Sequence, residues 1–248
     1  MRARSVSKCR CPIRAKRSRR PSTSARLPVA RLFGKAWGAL RGAAPGLFRS
    51  RAAAPDWAVG RGRILLVGPT GAGKSALVNA VLGEGTAPAG AGAPVTAGTS
   101  WYGERSPLPL ALGDTRGLEA AESAAQVRAF EASLAALPAE RRPHLVWLVI
   151  NAEGGRSFAG TGTLAGLAAS LRSAGIPCLV VLTHAEPGEA SHARLRSRIA
   201  ETMPEVAIAA VNSRALVGED GTVLLPAHGV EELLSRSRAF LPEGHDGG

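Results

Sequence analysis

A chain of 248 residues, 45% of them hydrophobic and 20% charged, is long enough to bury a sizeable core as one domain with appendages. The net charge of +12 suggests a nucleic-acid binder until it is located: residues 1–60 hold fifteen Lys/Arg against Asp56 alone, which is +14 and leaves −2 for everything after them. Three cysteines (Cys9, Cys11 and Cys178) exclude a disulfide scaffold and suit a reducing compartment without a structural metal, and no uncharged apolar run nears the ~18 residues of a membrane span.

The basic arm, residues 1–54, comes first. Met1 to Arg26 is rich in Arg and Ser, has no acid and few apolar residues, and cannot bury enough surface to fold alone, so it reads as disordered. Further on, Val29, Leu32, Phe33, Ala36 and Leu40 share one helical face with Trp37 at its edge, while Arg31, Lys35 and Arg41 lie elsewhere; this predicts a short basic amphipathic helix near 29–43, ended by Pro45. Three readings of it stay open: a helix drawn to an anionic lipid surface, a helix packed on the main domain, and a targeting presequence or over-extended reading frame. Clustered Arg also attracts RNA phosphate, so an RNA partner stays open too.

Ile64-Leu65-Leu66-Val67 is a short branched apolar run, and Gly68-Pro69-Thr70-Gly71-Ala72-Gly73-Lys74-Ser75 follows it, opening a helix-favouring stretch from Ala76 to Leu82. Strand, glycine loop and helix in this order make a phosphate-binding loop: the glycines let several backbone N–H groups converge on one anion, and the helix start adds its positive dipole end. In such a loop Lys74 reaches the terminal phosphates and the Ser75 hydroxyl holds Mg2+. Positive charge in this chain is spelled almost entirely as Arg, yet past Lys35 the one lysine is Lys74, where a slim mobile ammonium is wanted in place of a forked guanidinium.

The segment from Gly83 to Ala93 is built of Gly, Ala, Thr and Pro with one Glu, lacks apolar periodicity, and is expected to be mobile without ligand. It runs into Pro94-Val95-Thr96-Ala97-Gly98-Thr99, where a threonine can offer a hydroxyl to Mg2+ and an N–H to a γ-phosphate. Leu108 to Leu112 is a second apolar run and ends in Gly113-Asp114-Thr115-Arg116-Gly117. An acid at the carboxyl end of a buried strand can bind the metal through water, and Gly117 can present its N–H to the γ-phosphate. D-x-x-G is weak alone; about forty residues after the phosphate loop, with a threonine between, it is a specific signal.

Beyond it, Val127, Phe130, Leu134 and Leu137 mark a helix, and His144 to Asn151 a fully buried strand. Leu164, Leu167 and Leu171 give a helix closed by Gly175, and Pro177 to Leu182 another strand. Ala193, Leu195, Ile199 and Met203 form a helix, Val206 to Val211 a last strand, and Val230, Leu233 and Leu234 with Leu241 a closing helix before the polar tail 243–248. Strand and helix alternate, which implies a parallel sheet covered on both faces with ligand at the carboxyl ends of the strands. Trp147 reads as a core residue and His144 as a strand-edge residue.

Gly68 to Ser75, the helix from Ala76 to Gly83, Val95-Thr96 and Asp114-Thr115-Arg116-Gly117-Leu118-Glu119 together resemble the GTPases of the translation-factor-related class, in their Era-like and dynamin/septin-like neighbourhood. The likeness covers roughly residues 61–242. It implies an α/β fold, a P-loop NTPase G domain over 55–242 with a mostly parallel doubly wound sheet and helices on both faces, preceded by the basic arm. It further implies GTP and GDP held by Gly68, Pro69, Thr70, Gly71, Ala72, Gly73, Lys74, Ser75 and Ala76, with Asp114 and Gly117. Mg2+ is then held by Ser75, Thr96 and Asp114, and Lys74, Thr96 and Gly117 serve phosphoryl transfer; Thr96 is preferred to Thr99 by its spacing from Asp114. In the family the segment around Thr96 and the one after Asp114 are switches ordered by the γ-phosphate.

The base-reading motif departs from the family pattern of N/T-K-x-D. Here it is Thr183-His184-Ala185-Glu186, whose carboxylate has one extra methylene and whose His184 stacks without an obligatory charge. Guanine is expected over adenine, with weakened discrimination. Ser213, in Asn212-Ser213-Arg214, offers a backbone N–H to the base oxygen. Leu118 stands where small signalling GTPases carry a water-orienting Gln, Thr70 crowds the route of an arginine finger, and Gly71 stands where potassium-activated relatives carry Asn. Slow Mg2+-dependent hydrolysis in a nucleotide-dependent switch is therefore expected, quickened by an activating protein, a membrane or a homodimer. The alternatives are a nucleotide-binding module with negligible turnover that relays to membrane or RNA through the arm, and a P-loop ATPase. No DNA specificity is expected. A cytoplasmic location is expected, peripheral at a membrane in one reading, with organelle targeting by the arm left open.

Overall fold

The computed structural model describes residues 52–88, 99–115, 124–154, 157–188 and 190–242. The arm with its helix near 29–43, Thr96, Gly117, Leu118 and the tail 243–248 lie outside them.

Six strands form the central sheet: β1 (Gly62–Val67), β2 (Thr99–Tyr102), β3 (Leu110–Thr115), β4 (Leu145–Asn151), β5 (Cys178–Thr183) and β6 (Ile208–Ala210). Their order is β2-β3-β1-β4-β5-β6; β2 runs antiparallel to β3, and every other neighbour pair is parallel. The helices are α1 (Lys74–Leu82), α2 (Ala124–Ala135), α3 (Ser157–Ser173), α4 (Ala193–Thr202) and α5 (Val230–Arg238). Every residue of β1 and β3 is buried, as the continuous apolar runs of strands covered on both faces require.

Period-two alternation sends the two faces of each strand into different cores. Leu65, Val67, Val146, Leu148 and Ile150 join Leu134, Leu167, Leu171, Leu195 and Ile199 from α2, α3 and α4. Ile64, Leu66, Leu145, Trp147 and Val149 join Leu77, Val78 and Val81 of α1 and Leu233 of α5. The sheet is thus the middle layer of three. Trp147 is fully buried, and its indole N–H donates to Ser237 Oγ at 3.0 Å, which fixes the closing helix to β4. His144 stands just ahead of β4, its Nδ1 accepting the Arg63 backbone N–H at 3.0 Å. Burial holds the Cys178 thiol above its ordinary value of 9.0, which fits a packed side chain.

Three features differ from the sequence expectations. Thr99-Ser100-Trp101-Tyr102 is the edge strand β2, too short and too half-buried to alternate visibly. The strand expected over Val206 to Val211 is confined to β6 and is not the last: β7 (Leu216–Val217) and β8 (Val223–Leu225) pair as an antiparallel ribbon outside the main sheet. The segment before β1 is also structured, for Ala52 and Ala54 are buried and Asp56–Ala58 makes a turn of 3-10 helix. Ala54 N–H donates to Arg141 O at 3.1 Å and Arg141 pairs with Asp56, so this stretch is strapped to the turn after α2.

Candidate nucleotide site

The loop from Gly68 to Gly73 lies at the carboxyl end of β1, between β3 and β4, where ligands of open α/β sheets bind. Close approach explains two of its glycines. A Cβ on Gly68 would sit 2.2 Å from Val149 O of β4, and Gly73 adopts φ 83° as the N-cap residue of α1, where a Cβ would meet His184 Cε1 at 3.1 Å. No side chain among the described residues caps the α1 N-terminus, which leaves its amide dipoles for an anion.

Lys74 begins α1 and is only 7% exposed; its ammonium donates to Gly68 O at 3.0 Å and Pro69 O at 2.9 Å, folded back over its own loop. Next to it, the Ser75 hydroxyl donates to Asp114 Oδ2 at 2.6 Å across 39 residues of sequence, which unites the loop with the end of β3. Asp114 Oδ1 is buried without a hydrogen-bond partner among the described residues. Burial pushes the Asp114 carboxyl above its ordinary 3.8, against the opposing pull of the Ser75 hydroxyl and the Lys74 ammonium. The buried carboxylate and the serine hydroxyl beside it are hard oxygen ligands that fit Mg2+, while the neighbouring ammonium suits the phosphates that would accompany it. The neighbouring Thr115 hydroxyl donates to Leu66 O at 2.8 Å and holds the ends of β3 and β1 in register.

The base-reading segment leaves β5 on the other side of the loop. Thr183 is 1% exposed, and its hydroxyl donates to Ala72 O of the phosphate loop at 2.6 Å, so this residue positions the loop. His184 is exposed in the left-handed region, φ 52°, and its ring lies against Gly73. Glu186 is exposed, and its backbone N–H donates to His192 Nε2 at 3.1 Å. Asn212 pairs with His228 through two 3.0 Å backbone bonds, and its side-chain amide donates to Pro226 O at 2.8 Å. Ser213 follows, with a buried hydroxyl that has no partner among the described residues.

Lys74, Ser75 and Asp114 therefore meet, and Thr183, His184 and Gly73 meet; Glu186 and Ser213 rim the same end of the sheet. Two positioning residues escaped the sequence reading. Asn79 uses its side chain to clasp Ala87, with bonds of 2.9 and 2.6 Å to that residue's O and N, which fixes the exit of α1. His228 has Nε2 2.8 Å from Ala185 O and joins the base loop to the entry of α5. An Asn in the middle of an apolar helix was the available signal for Asn79, since Asn favours backbone-bonding roles.

Residues 63–184 match the model of a family described as 50S ribosome-binding GTPase. This is the G domain of a P-loop GTPase. Among solved structures, the G domain is similar to an Era variant from Aquifex aeolicus bound to GDP·AlF4−, with a TM-score of 0.50 and 20% identity over 74% of this chain and 57% of that one. It is also similar to a structure of the chloroplast translocon components atToc33 and psToc159, with a TM-score of 0.52 and 15% identity over 76% of this chain and 86% of that one. The chain thus spans little more than half of the Era chain. At such identities the likeness establishes the fold. No curated protein matches the chain in sequence.

Proposed function

We propose that the G domain binds Mg2+ with GTP or GDP and hydrolyses GTP slowly, as a nucleotide-dependent switch. The observation that carries this reading is the meeting of Lys74, Ser75 and Asp114 around one orphaned buried oxygen at the mouth of an uncapped helix. On binding, Lys74 exchanges the carbonyls of Gly68 and Pro69 for phosphate oxygens, so its ammonium meets anionic acceptors in place of neutral ones. Ser75, whose hydroxyl now donates to Asp114, would hold the cation through that hydroxyl, and the Asp114 carboxylate would hold it through water. Held by these residues, Mg2+ would supply neutralisation of phosphate charge. Backbone N–H groups of the loop cradle the rest.

GTP is favoured over ATP because Glu186 places a carboxylate on the base side of the site, with His184 beside it. Slow turnover follows from the sequence at Leu118, which cannot aim a water, so an activating partner or self-association is expected to raise the rate. That dimerisation is described as important for the GTPase activity of the chloroplast translocon components supports such a route. An RNA or membrane partner for the arm remains a proposal on its charge alone. The test is phosphate release from GTP by the full chain with Mg2+ at high dilution. Turnover slow enough to be lost on replacing Lys74 supports the reading, and fast turnover without any added factor contradicts it.

A further inference from the structure

Six large apolar side chains are exposed among the described residues, and four of them stand on the β7–β8 ribbon: Leu216 55%, Val217 52%, Val223 55% and Leu224 63%. The pairing register shifts between Leu216 and Val217, which breaks strict alternation, and all four aliphatic side chains show surface to water. Its charges are ordered along its length. Arg214 stands exposed at the root, and Glu219 and Asp220 stand exposed in the closing turn. Asp220 accepts bonds from Thr222 N at 3.0 Å and Thr222 Oγ1 at 2.8 Å, whereas Arg214 and Glu219 have no ion-pair partner among the described residues. The ribbon is a bar with a cation at one end, aliphatic side chains in the middle and acids at the other end.

We propose that two copies of the chain associate through this ribbon, lying antiparallel about a twofold axis. That arrangement sets the Arg214 end of each copy against the acidic turn of the other and aliphatic surface against aliphatic surface, which is the self-complementarity an isologous contact demands. A lipid surface fits poorly, because the acidic turn leads and anionic headgroups repel it. Four half-exposed aliphatic side chains per copy fall short of the ~1,200 Å2 of a stable interface, so the association is weak and depends on concentration. Its place in the fold gives it a consequence. The ribbon springs from Asn212 and Ser213 and is tied back by the Asn212 bond to Pro226 O, while His228 joins its exit to Ala185 of the base loop. Docking there stiffens the loops that hold the base and slows nucleotide release. This consequence rests on the GTP reading; the association itself does not.

Sedimentation velocity on the full chain, freed of nucleic acid, over micromolar to hundreds of micromolar tests the association without any nucleotide. Wild type is expected to shift from monomer towards dimer as concentration rises, and the Leu216→Ser/Leu224→Ser variant to weaken the association constant roughly tenfold or more. Arg214→Glu and Glu219→Arg are each expected to associate less than wild type, and an equimolar mixture of the two to recover, since each mixed contact then pairs opposite charges. Wild type that stays monomeric throughout, association untouched by the double substitution, or a mixture that fails to recover overturns the proposal. If association holds but release of a fluorescent GDP analogue is the same in dilute and concentrated protein, the twofold contact stands and its consequence for the nucleotide falls.

Discussion

At the phosphate end of the site, Lys74, Asp114 and Thr183 are at most 7% exposed, and each bonds across to another part of the loop or sheet. At the base end, His184 and Glu186 are exposed, and the backbone there is held by His192, by His228 and by the bond from Ala185 N–H to Val211 O. The first arrangement concentrates charge where water is scarce and, on the proposed reading, is expected to supply affinity for any nucleoside triphosphate. The second is exposed and, on the same reading, is expected to supply a modest choice between bases. Affinity and selectivity in this domain are therefore expected to separate under mutation.

The largest effect falls at the phosphate end. Lys74→Ala removes charge-assisted bonds worth roughly 1.5–3 kcal/mol each, so affinity for GTP and ATP alike is expected to fall on the order of a hundredfold or more in calorimetry, with the fold retained. Asp114→Asn comes next. Loss of a water-mediated metal partner is expected to cost about 10–100-fold in Mg2+-dependent affinity.

The same substitution has a separate signature in stability. Because burial raises the native Asp114 pKa, the folded chain holds that proton more tightly than the unfolded chain, whose carboxyl titrates near 3.8. Ionisation thus costs the nucleotide-free fold stability as pH rises from 3.8 through the raised value, and the cost is relieved below that window. Asp114→Asn is expected to flatten this part of the pH profile of thermal melting, and an unchanged profile would show that the carboxyl is not the cause.

Thr183→Val tests whether the two ends communicate. It leaves Ala72 O without its 2.6 Å donor and is expected to lower stability by about 1–3 kcal/mol while loosening the phosphate loop; affinity unchanged in a variant of lowered melting temperature would confine Thr183 to folding. The smallest effect is at the base. Glu186→Gln is expected to narrow the preference for GTP over ATP by about tenfold or less while leaving affinity for ATP nearly unaltered, as read in competition binding. A large loss with both nucleotides would erase the contrast between the ends.

How much of this was legible in the chain varies with the range of the cause. The phosphate loop was readable because its requirements are local: Gly68 and Gly73 answer to close backbone approach, and Lys74 to chemistry. The parallel sheet was readable because Leu145 to Ile150 and Leu179 to Leu182 are uninterrupted apolar runs, the mark of strands covered on both faces. Ser75 and Asp114, linked in the sequence by motif spacing alone, meet in the structure through a hydrogen bond.

β2 was not legible, since Thr99 to Tyr102 is held as an edge by pairing with Thr115 to Leu112 and shows no pattern of its own. Nor was the β7–β8 ribbon, because Leu216, Val217, Val223 and Leu224 are apolar without being buried, and apolarity read as burial assigns them to nothing. The bond from Thr183 to Ala72 O was not legible either, since it depends on a neighbour 111 residues away, which no local pattern carries.

The most direct test of the account is a binding panel of GTP, GDP, ATP and ADP against the full chain, each with and without Mg2+. Tight binding of GTP and GDP, weaker binding of the adenine nucleotides, and loss of GTP affinity when Mg2+ is withdrawn are the expected results. A chain that ignores all four, or that takes ATP in preference to GTP, contradicts it.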